Sequence, residues 1–193
     1  MPISLSEDQF QESVRQTIRA NTMKSGIVKV FGYYSDIALL ILPPARPLDI
    51  AILVMDPATD FGLDDRVDPA ATATTACITS WRKLDPNSVP VESKACANYL
   101  NGMVVRQEAV KKGFGMGIML DSQGYVAEGS IESLFWVKDG TLYTTALGTI
   151  LQSVTRLSVL EIARALGIET KEGRFPKEDL FSVFSSWAGL KKV

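Results

Sequence analysis

The chain's 193 residues are 46% hydrophobic and 22% charged, an ordinary globular composition with room for one large domain or one and a half small ones. Lys and Arg number 20 against 22 Asp and Glu, and the net charge of −2 excludes the basic footprint of a nucleic-acid binder. Histidine is absent, which excludes Ser-His and Cys-His pairs and imidazole metal ligands; acid/base chemistry falls to Lys, Tyr, Asp, Glu, Cys or a cofactor.

The opening Met1-Pro2-Ile3-Ser4 has no basic stretch followed by an apolar one, so no secretory signal is expected there. Ser6 to about Thr22 reads as an amphipathic helix, with Phe10, Val14, Thr17 and Ile18 on one face and a capping box in Ser6-x-x-Gln9. Strand-like runs follow at Gly26–Tyr34, Asp36–Pro43 and Asp49–Met55. The longest apolar run, Ile37–Pro44, suits a buried strand and is too short to span a membrane. Asp56–Pro69 is polar with Gly and Pro, reads as a loop, and places a domain boundary near it. Thr72–Trp81 is a strand and Asp85–Pro90 a turn. Cys77 and Cys96 form no C-x-x-C pair, which argues against a zinc ribbon or disulfide scaffold and fits a reducing cytoplasm.

A helix is expected from about Glu92 to Lys112, stopped by Gly113. Strands are expected at Met116–Asp121, Tyr125–Glu128, Ser133–Lys138 and Thr141–Thr144, with Asp139-Gly140 as a hairpin turn. Ser153 or Val154 opens another helix, with Leu157, Leu160, Ile162, Ala163 and Leu166 inward and Gly167 at its end. A strand at Ile168–Glu172, a short helix after Pro176 and a last strand near Val183–Ser186 complete an α+β fold.

Three features bear on chemistry. Lys94 lies among small residues, Ala95, Cys96 and Ala97, where a planar group could approach; a dehydrated amine there becomes a nucleophile for a carbonyl. Its plain alternative is a lysine facing solvent. Glu128 ends an apolar strand before Gly129 and could hold a protonated pyridine nitrogen; its alternative is a strand-end carboxylate in water. Leu151–Arg156 opens a helix whose free N–H groups make a phosphate site, or simply a capped terminus.

Taken together and in order, these residues resemble the class IV aminotransferases, the family of branched-chain and D-amino-acid aminotransferases and aminodeoxychorismate lyase. The likeness is densest in Ser80-Trp81-Arg82-Lys83, Pro86–Pro90 and Lys94-x-x-x-Asn98-Tyr99-Leu100. It continues through Leu120-Asp121-x-x-Gly124–Gly129, Asp139-Gly140-x-Leu142-Tyr143-Thr144 and Val154-Thr155-Arg156, with a weaker likeness over residues 4–56.

The resemblance implies the D-amino-acid-aminotransferase-like fold of pyridoxal-phosphate fold type IV. Residues 1–60 would be part of a small α/β domain, 61–70 a linker, and 71–193 a larger cofactor-binding domain with a mixed, barrel-like sheet and helices. It implies pyridoxal 5′-phosphate as cofactor, an amino acid and a 2-oxo acid as substrates, and a homodimer, with no metal. Lys94 would carry the cofactor and shuttle the proton at the substrate Cα. Tyr99 would bond the cofactor's phenolate oxygen, Glu128 its ring nitrogen, and Leu151 would pack on a ring face. The N–H groups of Val154 and Thr155, with the Thr155 hydroxyl, would hold the phosphate.

The resemblance also implies a chain short at both ends. The family's phosphate-binding arginine falls before Met1, and Ser133 stands where members have Asn. The segment Ser185–Ala188 replaces a Gly-Thr-Ala loop, so Trp187 and Ala188 would lie near the substrate carboxylate. Lys29 would face that carboxylate from the strand at Ile27–Lys29, as a point charge rather than a bidentate fork. The Lys94 segment resembles the branched-chain group, whereas Ile27–Val30 resembles the lyase. A branched-chain aminotransferase is therefore expected, with the lyase, a D-amino-acid aminotransferase and a shortened non-catalytic homologue as alternatives.

Overall fold

In a computed structural model describing residues 2–23, 25–37, 42, 45–61 and 74–184, the first element is helix α1 (Glu7–Ala20). Its capping box forms as the sequence indicates: the Gln9 N–H donates to Ser6 Oγ at 3.3 Å, and the Ser6 N–H donates to Gln9 Oε1 at 2.9 Å. Strands β1 (Ile27–Tyr33) and β2 (Asp49–Met55) pair antiparallel, from Ile27 opposite Met55 to Tyr33 opposite Asp49. Arg46 ties the loop end of the hairpin by bonding Asp36 at 2.6 Å and Asp49 at 2.9 Å.

The strand expected at Asp36–Pro43 does not form at Asp36 and Ile37, where Asp36 is committed to Arg46; most of the remainder lies outside the described residues. The expected loop after Asp56 begins instead with a short helix α2 (Pro57–Phe61). Its cap is Asp56, whose Oδ1 accepts from the Ala58 and Thr59 N–H groups at 2.8 and 3.1 Å. The proposed linker at 61–70 lies almost wholly outside the described residues. The chain divides into two units, Met1–Thr72 and Ala73–Val193. No described residue of the first is buried.

In the second unit, β3 (Ala76–Arg82) pairs parallel with β4 (Met116–Leu120), which pairs antiparallel with β5 (Val126–Gly129). Helix α3 (Tyr99–Lys111) packs on β3 and β4, burying Asn101, Gly102, Val105 and Ala109. A second sheet contains β6 (Phe135–Lys138), β7 (Thr141–Thr145) and β8 (Thr170–Gly173), with β6–β7 antiparallel and β7–β8 parallel. The Asp139-Gly140 turn has φ of 50° and 78°, the left-handed pair that a tight hairpin needs. Helix α4 (Val154–Ala165) crosses over from β7 to β8, and α5 (Lys177–Phe184) follows. The described strands of this unit form two three-stranded sheets and close no barrel.

A core of Leu120, Val126, Trp136 and Leu180, with Tyr143 and Phe175 against it, joins β4 and β5 to β6, β7 and α5. Phe175 sets its edge on Trp136, with ring centroids 4.9 Å apart. The structure departs from the sequence pattern at three elements. The helix expected from Glu92 begins only at Tyr99, after a 3₁₀ turn at Cys96–Asn98. The Asn98 amide is the cause: its Nδ2 donates to the carbonyls of Pro90 at 3.2 Å and Ser93 at 3.1 Å, which folds the preceding segment into a loop. On α4 the buried face is Arg156, Leu160 and Ala163, whereas Leu157, Ile162 and Leu166 are exposed. The strand expected near Val183 is instead the end of α5, whose first turn carries Glu178 and Asp179 and whose Leu180 enters the core. Residues 185 and 186 lie outside the described residues.

Candidate functional site

Lys94 sits on an exposed loop before α3, not within a helix as expected. Val91, 3% exposed, anchors the loop on one side and Asn98 clamps it on the other. The Lys94 side chain has no hydrogen-bond or ion-pair partner among the described residues. Tyr99 is the first residue of α3 and is exposed. Neither residue is hydrogen-bonded to the other described residues singled out above.

Glu128 is different. It is buried on β5, and both its oxygens are engaged: Lys83 Nζ lies 2.5 Å from Oε1, and the Leu151 N–H donates to Oε2 at 3.2 Å. Lys83 is itself only 8% exposed, so the two charges neutralise each other away from bulk water. The approach of Lys83 is prepared by Asn101 of α3. Asn101 Nδ2 donates to the Arg82 carbonyl at 2.9 Å, and its Oδ1 accepts from the Leu84 N–H at 3.2 Å. The backbone on both sides of Lys83 is thereby held, and its own N–H donates to the Leu120 carbonyl at 2.9 Å.

Leu151 leads directly into the start of α4. Ser153 is the cap, its Oγ accepting from the Arg156 N–H at 3.3 Å and its carbonyl from the Leu157 N–H at 3.1 Å. Val154 and Thr155 are exposed, and their N–H groups, at the first two helical positions, have no intrahelical acceptor. With the helix dipole behind them, open N–H groups of this kind favour a negative charge. The structure therefore joins Glu128 to Leu151 and, through the next residues, to Val154 and Thr155.

A carboxylate offers about four lone-pair directions, and Glu128 uses two on Lys83 and Leu151. It retains acceptor capacity for the protonated nitrogen of a ring. Together with the unpartnered amine of Lys94 and the two free N–H groups of α4, the donor set fits a planar ring bearing a phosphate and a carbonyl. Two buried polar atoms lack partners in the described structure, Ser130 Oγ and Arg156 Nε.

Lys29 lies on β1 opposite Leu53, exposed, with its ammonium 4.7 Å from the centre of the Phe31 ring. Trp187 and Ala188 lie outside the described residues. The sequence assigned no role to Lys83, Asn98, Asn101 or Arg156, although Lys83, Asn98 and Arg156 lie in the segments that carry the family likeness. Lys83 follows a mixed strand that ends in Ser80-Trp81-Arg82 and gave no signal of its own, and the others read as ordinary helix residues.

The amino-transferase class IV family model matches residues 1–189. The branched-chain-amino-acid aminotransferase of Salmonella typhimurium is 34% identical over 185 residues, covering 93% of this chain and 58% of that protein. The crystal structure of the Escherichia coli branched-chain amino acid aminotransferase superimposes with a TM-score of 0.83 at 32% identity, covering 94% of this chain and 59% of that one. The branched-chain amino acid aminotransferase from Thermobaculum terrenum, in its PLP-bound holo form, gives 0.76 at 25% identity, covering 93% of this chain and 57% of that one. The chain thus spans somewhat over half the length of the proteins it matches.

Proposed function

The chain belongs to the class IV aminotransferase family, with the fold of that family's branched-chain members, and on that premise we propose that it is a pyridoxal-phosphate-dependent branched-chain aminotransferase. It would exchange an amino group between a branched-chain amino acid and a 2-oxo acid. The observation that carries this reading is the buried Glu128, bonded to the Leu151 N–H immediately ahead of the open N-terminus of α4.

The bound cofactor supplies electron withdrawal from the substrate Cα. The rest is the work of the chain's own residues. Glu128 holds a proton on the ring nitrogen, and Lys83 and the Leu151 N–H keep its carboxylate oriented. Leu151 covers a ring face. The Val154 and Thr155 N–H groups and the Thr155 hydroxyl bind the phosphate. Tyr99 bonds the phenolate oxygen. Lys94 carries the cofactor and moves the Cα proton, and Asn98 positions the loop that bears it. Lys29, Trp187 and Ala188 are assigned to the substrate carboxylate on the family resemblance.

The test is the visible absorbance of the protein incubated with pyridoxal phosphate, beside Lys94→Ala. The wild type should show the band of a lysine-bound cofactor and the variant should not. L-leucine should then bleach the band and D-alanine should not; pyruvate release from aminodeoxychorismate would instead favour the lyase. Absence of the band in both proteins would falsify the assignment of Lys94. The same reading includes a homodimer, which sedimentation would report, and a cytoplasmic setting, consistent with the two free cysteines. No helix among the described residues is long and apolar enough to cross a membrane.

A further inference from the structure

Arg156 is the largest fully buried side chain among the described residues, at 1% exposure. It belongs to the first turn of α4, next to Thr155, yet it points inward where Val154 and Thr155 are exposed. Its Nη2 donates to the Thr145 carbonyl on β7 at 2.8 Å and also pairs with Glu172 on β8. Thr145 in turn donates its hydroxyl to the Val126 carbonyl on β5 at 3.2 Å. Val126 is on the strand that carries Glu128. One unbroken polar path therefore runs from the first turn of α4, through the second sheet, to the strand of the buried carboxylate in the first.

A buried guanidinium is costly to desolvate, and an apolar side chain would fill the space at less cost. What the arginine provides is a fixed distance. Its Nη2 binds two strands at once while its own backbone belongs to the helix turn whose N–H groups stay open. We propose that Arg156, acting with Thr145, is a positioning residue that sets the separation between the phosphate-binding end of α4 and the ring-nitrogen carboxylate Glu128. The proposal rests on the cofactor reading above. Arg156 itself touches neither end of the cofactor.

Pyridoxal phosphate and pyridoxal differ only by the phosphate, so the ratio of their affinities reports how well the two anchors are spaced. The ratio is measured by fluorescence titration for wild type, Arg156→Met, Arg156→Lys and Thr145→Val, with circular dichroism as the check on folding. In Arg156→Met the preference for the phosphorylated compound should fall about tenfold or more, and pyridoxal binding should change much less. Arg156→Lys, which keeps one terminal charged nitrogen on a shorter reach, should recover part of the preference. Thr145→Val should move it the same way by a smaller factor, and decides the matter if Arg156→Met does not fold. A wild-type preference that survives in the folded variants overturns this proposal alone, as does equal weakening of both compounds. A wild type without any preference removes the cofactor reading and this proposal with it.

Discussion

Lys83 and Glu128 have side-chain exposures of 8% and 11%, so each is the other's principal compensation for lost water. Lys83→Met leaves a buried carboxylate uncompensated and should cost about 3–5 kcal/mol in urea unfolding. A cost under about 1 kcal/mol would show that water reaches the pair. A second ion pair is felt through pH. Lys112, and then the Ser80 hydroxyl, hold the Glu108 carboxyl down to about 2. A lowered folded-state value means stability that is present above the ordinary Glu value of 4.5 and is lost as pH falls from there through about 2. The stability gap between wild type and Lys112→Met should therefore be constant near neutrality and close over that acid range, in unfolding titrations at several pH values. At this scale Glu128 was legible, because a carboxylate ending an apolar strand is conspicuous. Lys83 was not, since its partner comes from a distant strand. Arg156 was hidden because a periodicity search assigns the inward face to apolar residues, and α4 gives one of those places to an arginine.

Helix α3 meets the turn after β5 at Gly102. A Cβ built there would lie 2.2 Å from the Ser130 carbonyl oxygen, which is backbone and cannot swing aside. Gly102→Ala should destabilise by about 1–3 kcal/mol despite the better helix propensity of alanine, read as a drop in urea midpoint. Gly113 is a glycine for another reason: its φ is 80°, with open space about it, so Gly113→Asn should cost far less than Gly113→Val. Most elements were readable in the sequence because their signals are local: the capping box of α1, the Asp139-Gly140 turn, the Ser153 cap. The late start of α3 was not, because Asn98 reaches back to Pro90 and Ser93, and side-chain competition of that kind leaves no mark on periodicity. The end of α5 failed likewise. Val183 and Phe184 have strand propensity, which the burial of Leu180 by a continuing helix overrides.

At the scale of the molecule, the two units differ in how much they bury. Every buried residue among those described belongs to Ala73–Val193. In the first unit, Ile27, Val30, Tyr33 and Leu53 of the β1–β2 hairpin are all more than a third exposed. Two strands without a deep core are marginal. Amides of β1 and β2 should exchange with deuterium at least about a hundredfold faster than those of β4 and β5. Equal protection would mean that the hairpin is stabilised by contacts beyond the described ones. The sequence suggested two parts because a polar stretch follows Asp56, but not their unequal burial, which depends on what packs on each strand. The Lys83–Glu128 pair bears on folding fidelity too. Lys83 immediately follows β3, Glu128 lies on β5, and β4 runs between them. A one-residue slip of either strand would turn its charged group to the opposite face and strand the other in apolar surroundings. The pair is thus a registration mark for the first sheet. A Lys83→Met, Glu128→Leu chain would keep much of the stability yet, lacking that mark, refold into more than one strand alignment, visible as doubled amide resonances in β3 and β5.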